Sequence, residues 1–320
     1  GGERTILAST DAAHSLGDAF DLPVGSAETP VAENLWALEI DPAIAGRAAW
    51  GGLQGYLRTL MTSHADAGIE ADELLVFPGL EELFALLALL DIERADAYDV
   101  LVVDCAPTGE TLALLKFPEL LGWYVEKWLP LGKVALRVLS PLSKKVLKVE
   151  LPDKHAMSDI ERLYARLIDL QTLLKDGERT AVRIVTLPEK MVVEETKRNY
   201  LYLNLFGYRV DGLVVNRVLP AEAAQGFFAE WADVQARCMD ELSRVFADVP
   251  TARVPWHGID ICGMDGVAQL AGELPDEGMF AAAPPLEHER YEKAGDGWTL
   301  ELALPLADKG ALELYQAGSD

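Results

Sequence analysis

Cysteine is scarce in this chain. There are three, Cys105, Cys238 and Cys262, far apart and without a C-x-x-C pair. That spacing argues against a structural zinc site and a disulfide framework, and fits a reducing, cytoplasmic setting. Long apolar runs are lacking too: none reaches the roughly 18 residues of a membrane-crossing helix. No basic stretch followed by an apolar one opens the chain, so no secretory leader is visible. Positive charge is sparse, with 28 Lys and Arg against 52 Asp and Glu, a net charge of −24. Phosphate backbones are bound by clustered cations, so no nucleic-acid partner is expected. The acidity reads as a solubility bias.

Apolar residue types make up 50% of the 320 positions, enough for one large core or two domains. Residues 5–9 form a short apolar run that ends in a polar loop, which predicts a buried strand. Residues 35–40 (LWALEI), 99–104 (DVLVVD), 181–187 (AVRIVTL) and 213–216 (LVVN) predict four more. Helical patterns separate them at about 43–62, 80–92, 156–175, 189–206 and 220–246. Strands alternating with helices predict an α/β fold with a parallel sheet covered on both faces. Ligands of such sheets bind at the carboxyl ends of strands.

Two regions depart from that alternation. Residues 116–150 are apolar but carry Lys116, Lys127, Lys133, Arg137, Lys144, Lys145 and Lys148, with Trp123, Tyr124 and Trp128. They form a basic, amphipathic segment in an acidic chain. After Ala283-Pro284-Pro285, residues 297–306 (GWTLELALPL) alternate as a strand and residues 311–314 suggest another. A small, incomplete β module behind a Pro-rich linker is the expectation.

Two strings carry chemistry. Residues 9–20 (STDAAHSLGDAF) directly follow the first strand. A carboxylate there, Asp11, can reach a phosphate or its attacking water; equally, Asp11 or Ser15 can serve as an ordinary helix N-cap. Residues 104–111 (DCAPTGET) follow an apolar strand. An acid in that place, Asp104, is the Walker B arrangement that holds Mg²⁺ beside a nucleotide. Pro107, Thr108 and Gly109 then make a turn able to sense a γ-phosphate. A plain strand-ending Asp in a turn is the alternative.

Taken in this order, the strings resemble the switch regions of the ArsA/Get ATPases, STDPAHxLxDAF and DTAPTGHT. That family includes arsenite-pump ATPases and targeting factors for tail-anchored membrane proteins. Residues 77–82 (FPGLEE), 188–198 (PEK…ETKR), 215–217 (VNR) and 253–256 (RVPW) are similar to further family segments. The tail from Glu287 resembles a small-heat-shock-like β domain. The resemblance implies a P-loop NTPase-type sheet, with an ATPase domain over 1–283, a helical subdomain insert at about 116–180, and a partial β domain over 284–320. It implies ATP and Mg²⁺ as cofactors. Asp11 would orient the attacking water, and Asp104 would hold Mg²⁺ through water. Asn216 would bond adenine, Glu189 would contact nucleotide across a dimer interface, and Pro255 and Trp256 would pack near the base. Ala12 stands where the family has Pro, Glu110 where it has His and Cys105 where it has Thr.

The family's phosphate loop, GKGGVGKT, does not occur in residues 1–320. Only four residues precede the strand at Thr5, too few for a strand, loop and helix crossing back to a parallel neighbour. The expectation is that the loop lies upstream and that this stretch alone does not hydrolyse ATP. Each switch string occurs once, which implies a homodimer that ATP closes. The full-length protein is expected to energise membrane-protein targeting or transport, in the cytoplasm or peripherally at the membrane. Residues 116–150 either form a groove for an apolar membrane-protein segment or bury their own core. Two other readings stay open. One is an arsenite-pump subunit acting with a membrane partner, which would need thiolates from the three cysteines. The other is a non-enzymatic chaperone that uses the β tail.

Overall fold

The structure, a computed structural model, describes residues 2–11, 15–41, 44–46, 80–105, 154–275, 289–295 and 297–302. The chain forms two compact units, Gly1–Thr172 and Leu173–Asp320.

In the first unit, strand β1 (Thr5–Ser9) lies between β3 (Leu35–Glu39) and β4 (Val100–Asp104), parallel to both. β2 (Thr29–Ala32) completes the order β2-β3-β1-β4 as an antiparallel edge. This edge strand carries Pro30, whose missing N–H an edge tolerates. The interior strands read as almost unbroken apolar runs because both faces are covered; Ile6, Ala8 and Ala37 are fully buried. Helix α1 (Ser15–Phe20) buries Leu16 and Phe20. Helix α2 (Leu80–Arg94) buries Leu83 to Leu87 without a break, so it is apolar all round rather than amphipathic. Arg166 of α3 (Lys154–Lys175) bonds the Leu87 carbonyl at 3.0 Å and the Asp91 carboxylate at 2.7 Å.

The second unit holds a parallel sheet, β5-β6-β7, over Val182–Thr186, Val210–Val218 and Thr251–Pro255. Helix α4 (Lys190–Leu205) buries Val193, Thr196, Tyr200 and Leu203, one stripe at helical spacing. It ends in a left-handed turn at Gly207 (φ 77°), where Gly207 N–H meets the Asn204 carbonyl and Tyr208 N–H that of Leu203. That stop inserts Tyr208 into the core and launches β6. Helix α5 (Ala229–Val245) buries Gln235, Cys238, Met239 and Leu242. A short helix, α6 (Gly263–Ala271), follows β7. Antiparallel strands β8 (Glu289–Ala294) and β9 (Gly297–Leu302) form a hairpin. Its cross-strand pair Tyr291 and Leu300 shares one face with Trp298 and Leu302, all exposed.

The strands expected at 5–9, 35–40, 99–104, 181–187 and 213–216 are present, the last over Val210–Val218, and the parallel sheet flanked by helices is an α/β architecture of the expected kind. Other elements differ. The helix expected from 220 begins at 229, because Ala223 and Ala224 N–H close a turn on the Pro220 carbonyl and Gly226 takes φ 64°. Residues 253–255, where no strand is expected, lie inside β7, with Ala252 and Val254 buried in alternation. β2, α6 and β8 have no counterpart among the expected elements. The helix at 43–62 beyond residue 46, the segment 116–150 and the strand at 311–314 lie outside the described residues.

Leu213, fully buried on the central strand β6, carries much of the second unit's packing. Leu213→Ala is expected to lower stability by about 2–5 kcal/mol, measured as the shift in urea unfolding at constant m-value.

Candidate functional site

Two groups of chemically capable side chains gather at strand ends, one in each unit. The first grows from the pairing of β1 with β4. Ser9 stands opposite Asp104 in the ladder. Just beyond, Thr10 N–H donates to the Asp104 carbonyl at 2.9 Å, and the Thr10 hydroxyl approaches the same oxygen at 3.4 Å. The Ser9 hydroxyl accepts the Asp11 N–H at 3.2 Å, which fixes the start of the switch-like loop. Parallel strands end together, so Asp11 and Asp104 reach the same sheet edge. Their charges interact: desolvation first, and the Asp11 carboxylate second, push the Asp104 carboxyl above its ordinary range.

This repulsion is the observation that bears on a cation. Hard oxygen donors at a site with excess negative charge suit Mg²⁺, which keeps most of its own waters and needs one or two carboxylates. Asp104 would hold it, and Asp11 lies within electrostatic reach. Among the described residues no cluster of three or more His, Cys, Asp or Glu side chains exists, so a fully protein-ligated metal centre is not formed there.

The α1 end is tied to the same sheet. Gly17 N–H donates to the Glu39 carboxylate at 3.1 Å, and a Cβ at Gly17 would meet the Leu22 carbonyl at 3.1 Å. A side chain there would push the following chain back by a few tenths of an ångström. Pro107, Thr108 and Gly109 lie outside the described residues.

Cys105 follows Asp104. Desolvation raises its thiol pKa; the Thr10 hydrogen bond opposes this and the Asp104 charge adds to it. Burial also pushes the Cys238 thiol up on α5.

The second group surrounds a cavity of about 500 Å³ in the second unit. Glu189 and Trp256 line it, as do Arg217, Phe227, Phe228 and Trp231. Phe228 packs edge-on to both Phe227 and Trp256, at centroid distances of 5.2 and 5.8 Å. Glu189 precedes α4 and makes no side-chain capping bond. Asn216 and Pro255 sit at the strand ends beside the cavity rather than in its wall: Asn216 Oδ1 accepts the Arg217 N–H at 2.8 Å, and Pro255 pairs with Val218. The site residues expected in this unit thus gather at the carboxyl end of one sheet.

Sequence reading missed the wall formed by Phe227, Phe228, Glu230, Trp231 and Gln235. The available signal was an aromatic cluster, GFFAEW, directly after a Pro- and Gly-marked turn. It was obscured by assigning the whole stretch to one helix. What the arrangement can do is plain: aromatic faces and edges accept a flat, apolar ring, while Arg217, Glu189 and Glu230 offer polar contacts at its margin.

The raised carboxyl at Asp104 has a pH consequence. Between the unfolded carboxylate pKa and the higher folded one, the folded chain binds the extra proton, so its stability falls as pH rises through that window. Asp104→Asn is therefore expected to melt higher than wild type at pH 7, with the advantage gone once pH falls below the unfolded value. Asp11→Asn is expected to move the Asp104 titration down, read by carboxyl ¹³C NMR.

A model of the anion-transporting ATPase family matches residues 1–276. A protein of Chlorobaculum tepidum named "Putative arsenical pump-driving ATPase" is 33% identical over all of this chain and 80% of its own length. An Aquifex aeolicus protein, "Putative arsenical pump-driving ATPase 1", is 32% identical over 91% of this chain and 77% of its own. A Paramecium tetraurelia protein, "ATPase ASNA1 homolog 1", is 28% identical over 84% of this chain and 82% of its own. Together with two acids at the tips of adjacent parallel strands, these matches decide the family: the chain belongs to the anion-transporting ATPases.

Proposed function

We propose that the full-length protein is a dimeric ATP-driven switch that energises the targeting or transport of a membrane-protein client. The supporting observation is the electrostatic contact between Asp11 and Asp104 at one sheet edge. In this reading Asp11 accepts a hydrogen bond from the attacking water and aligns it with the γ-phosphate. Asp104 holds the waters around Mg²⁺, which when bound neutralises charge on the phosphates. Pro107, Thr108 and Gly109 sense whether the γ-phosphate is present. Asn216 bonds the base, Pro255 and Trp256 pack near it, and Glu189 contacts nucleotide across the dimer.

Hydrolysis removes the group that holds the two switch strings closed, and the dimer relaxes. A chain with one copy of each string meets its second copy by symmetry. The basic, apolar segment 116–150 follows the second string directly and is the part proposed to meet the client. The described helices include none long and apolar enough to cross a membrane, which fits a switch that acts on a membrane client without being one. The names of the bacterial relatives attach arsenical pumping to those proteins.

Steady-state hydrolysis by the full-length protein tests the assignment. Asp11→Asn is expected to lower kcat by about 10²–10⁴-fold while the KM for ATP stays near wild type. An unchanged kcat would remove Asp11 from the mechanism and the proposal with it.

A further inference from the structure

Left-handed backbone outside glycine occurs at four described positions: Asp21, Asn34, Asp96 and Arg217. The first three are short polar residues that tolerate it. Arg217 is not. It sits inside β6 with φ 54°, at the point where the pairing with β7 slips. Val215 pairs with Arg253 and Val218 with Pro255, so β6 spends three steps where β7 spends two. The extra residue makes a bulge at Asn216–Arg217, and a bulge re-aims the side chains it carries. Here those side chains are the proposed base-bonding Asn216 and the cavity-lining Arg217.

A bulge takes backbone groups out of the ladder, and groups in a part-buried place must be paired elsewhere. Two side chains do this, Gln235 and Asn216. Gln235 projects from α5 and is 7% exposed. Its Oε1 accepts the Leu219 N–H at 2.9 Å, and its Nε2 donates to the Arg217 carbonyl at 3.1 Å. The amide thus spans the segment leaving the bulge and uses both a donor and an acceptor. Asn216 Oδ1 takes the Arg217 N–H from the other side, and Trp256 N–H donates to the Val218 carbonyl at 2.8 Å. Gln235 also lines the cavity.

We infer that Gln235 is a positioning residue for the nucleoside end of the site. Its amide holds the strained bulge that aims Asn216 and Arg217 and, through Val218, seats the backbone of Trp256. Leucine matches the bulk but leaves one donor and one acceptor unpaired. Glutamate keeps the shape and the acceptor but, when ionised, turns an oxygen toward the Arg217 carbonyl. The inference rests on reading this cavity as the place where the base binds.

ATP turnover by the full-length protein tests it, with ATP itself as the probe. Gln235→Leu is expected to raise KM by about tenfold or more with kcat within about threefold. It is also expected to speed amide exchange at Leu219. Gln235→Glu is expected to show the KM defect at neutral pH and to lose it as pH falls, because the protonated acid again donates to Arg217 and accepts from Leu219. The Leu variant is expected to show no such recovery. If both variants keep a wild-type KM while Asn216→Ala raises it, the positioning role is wrong and the base site stands. If kcat falls with no change in KM, or the Glu defect ignores pH, Gln235 is a packing residue only. If Asn216→Ala and Trp256→Ala both leave KM unchanged, the base-site reading itself fails and takes this inference with it.

Discussion

The pairing of β1 with β4 is the constraint on which the first site depends. Two parallel strands in register place Ser9 level with Asp104, and one further turn of chain brings Asp11 to the same edge. Desolvation first, and the Asp11 charge second, raise the Asp104 carboxyl there. The backbone that sets the pair is itself held by short polar side chains. Thr10 bonds back to Asp104 and Ser9 bonds forward to Asp11, so the acids are positioned by the sheet before any ligand arrives.

The second unit repeats the device with different chemistry. Its strands also end together, but what they present is an aromatic-walled cavity in place of a carboxylate pair. The wall comes from the turn after β6, the start of α5 and the end of β7. The bulge in β6 is where regular geometry gives way. Strain at Arg217 is held by bonds from Asn216, and the backbone beyond it by Gln235, which is how a sheet keeps an irregular tip in one conformation.

Periodicity and apolar runs determined the strand–helix alternation and therefore the α/β class. β1, β3, β4 and β5 lie within a residue or two of where their sequences placed them, because parallel strands read as nearly continuous apolar runs. The acids at 11 and 104 were legible for the same reason: a carboxylate directly after such a run has nowhere to sit but the strand tip. β7 was not legible, since five residues ending in proline carry too little alternation to separate from loop. The start of α5 was not legible either, because the Pro220 turn and the positive φ of Gly226 are events of backbone geometry that helix-forming neighbours mask. Only tertiary structure decided that Phe227, Phe228, Trp231 and Trp256 share a wall, and that a glutamine on a helix completes the end of a strand. Local sequence sets which elements form; the approach of one element to another sets which side chains meet, and that depends on contacts between residues distant in the chain.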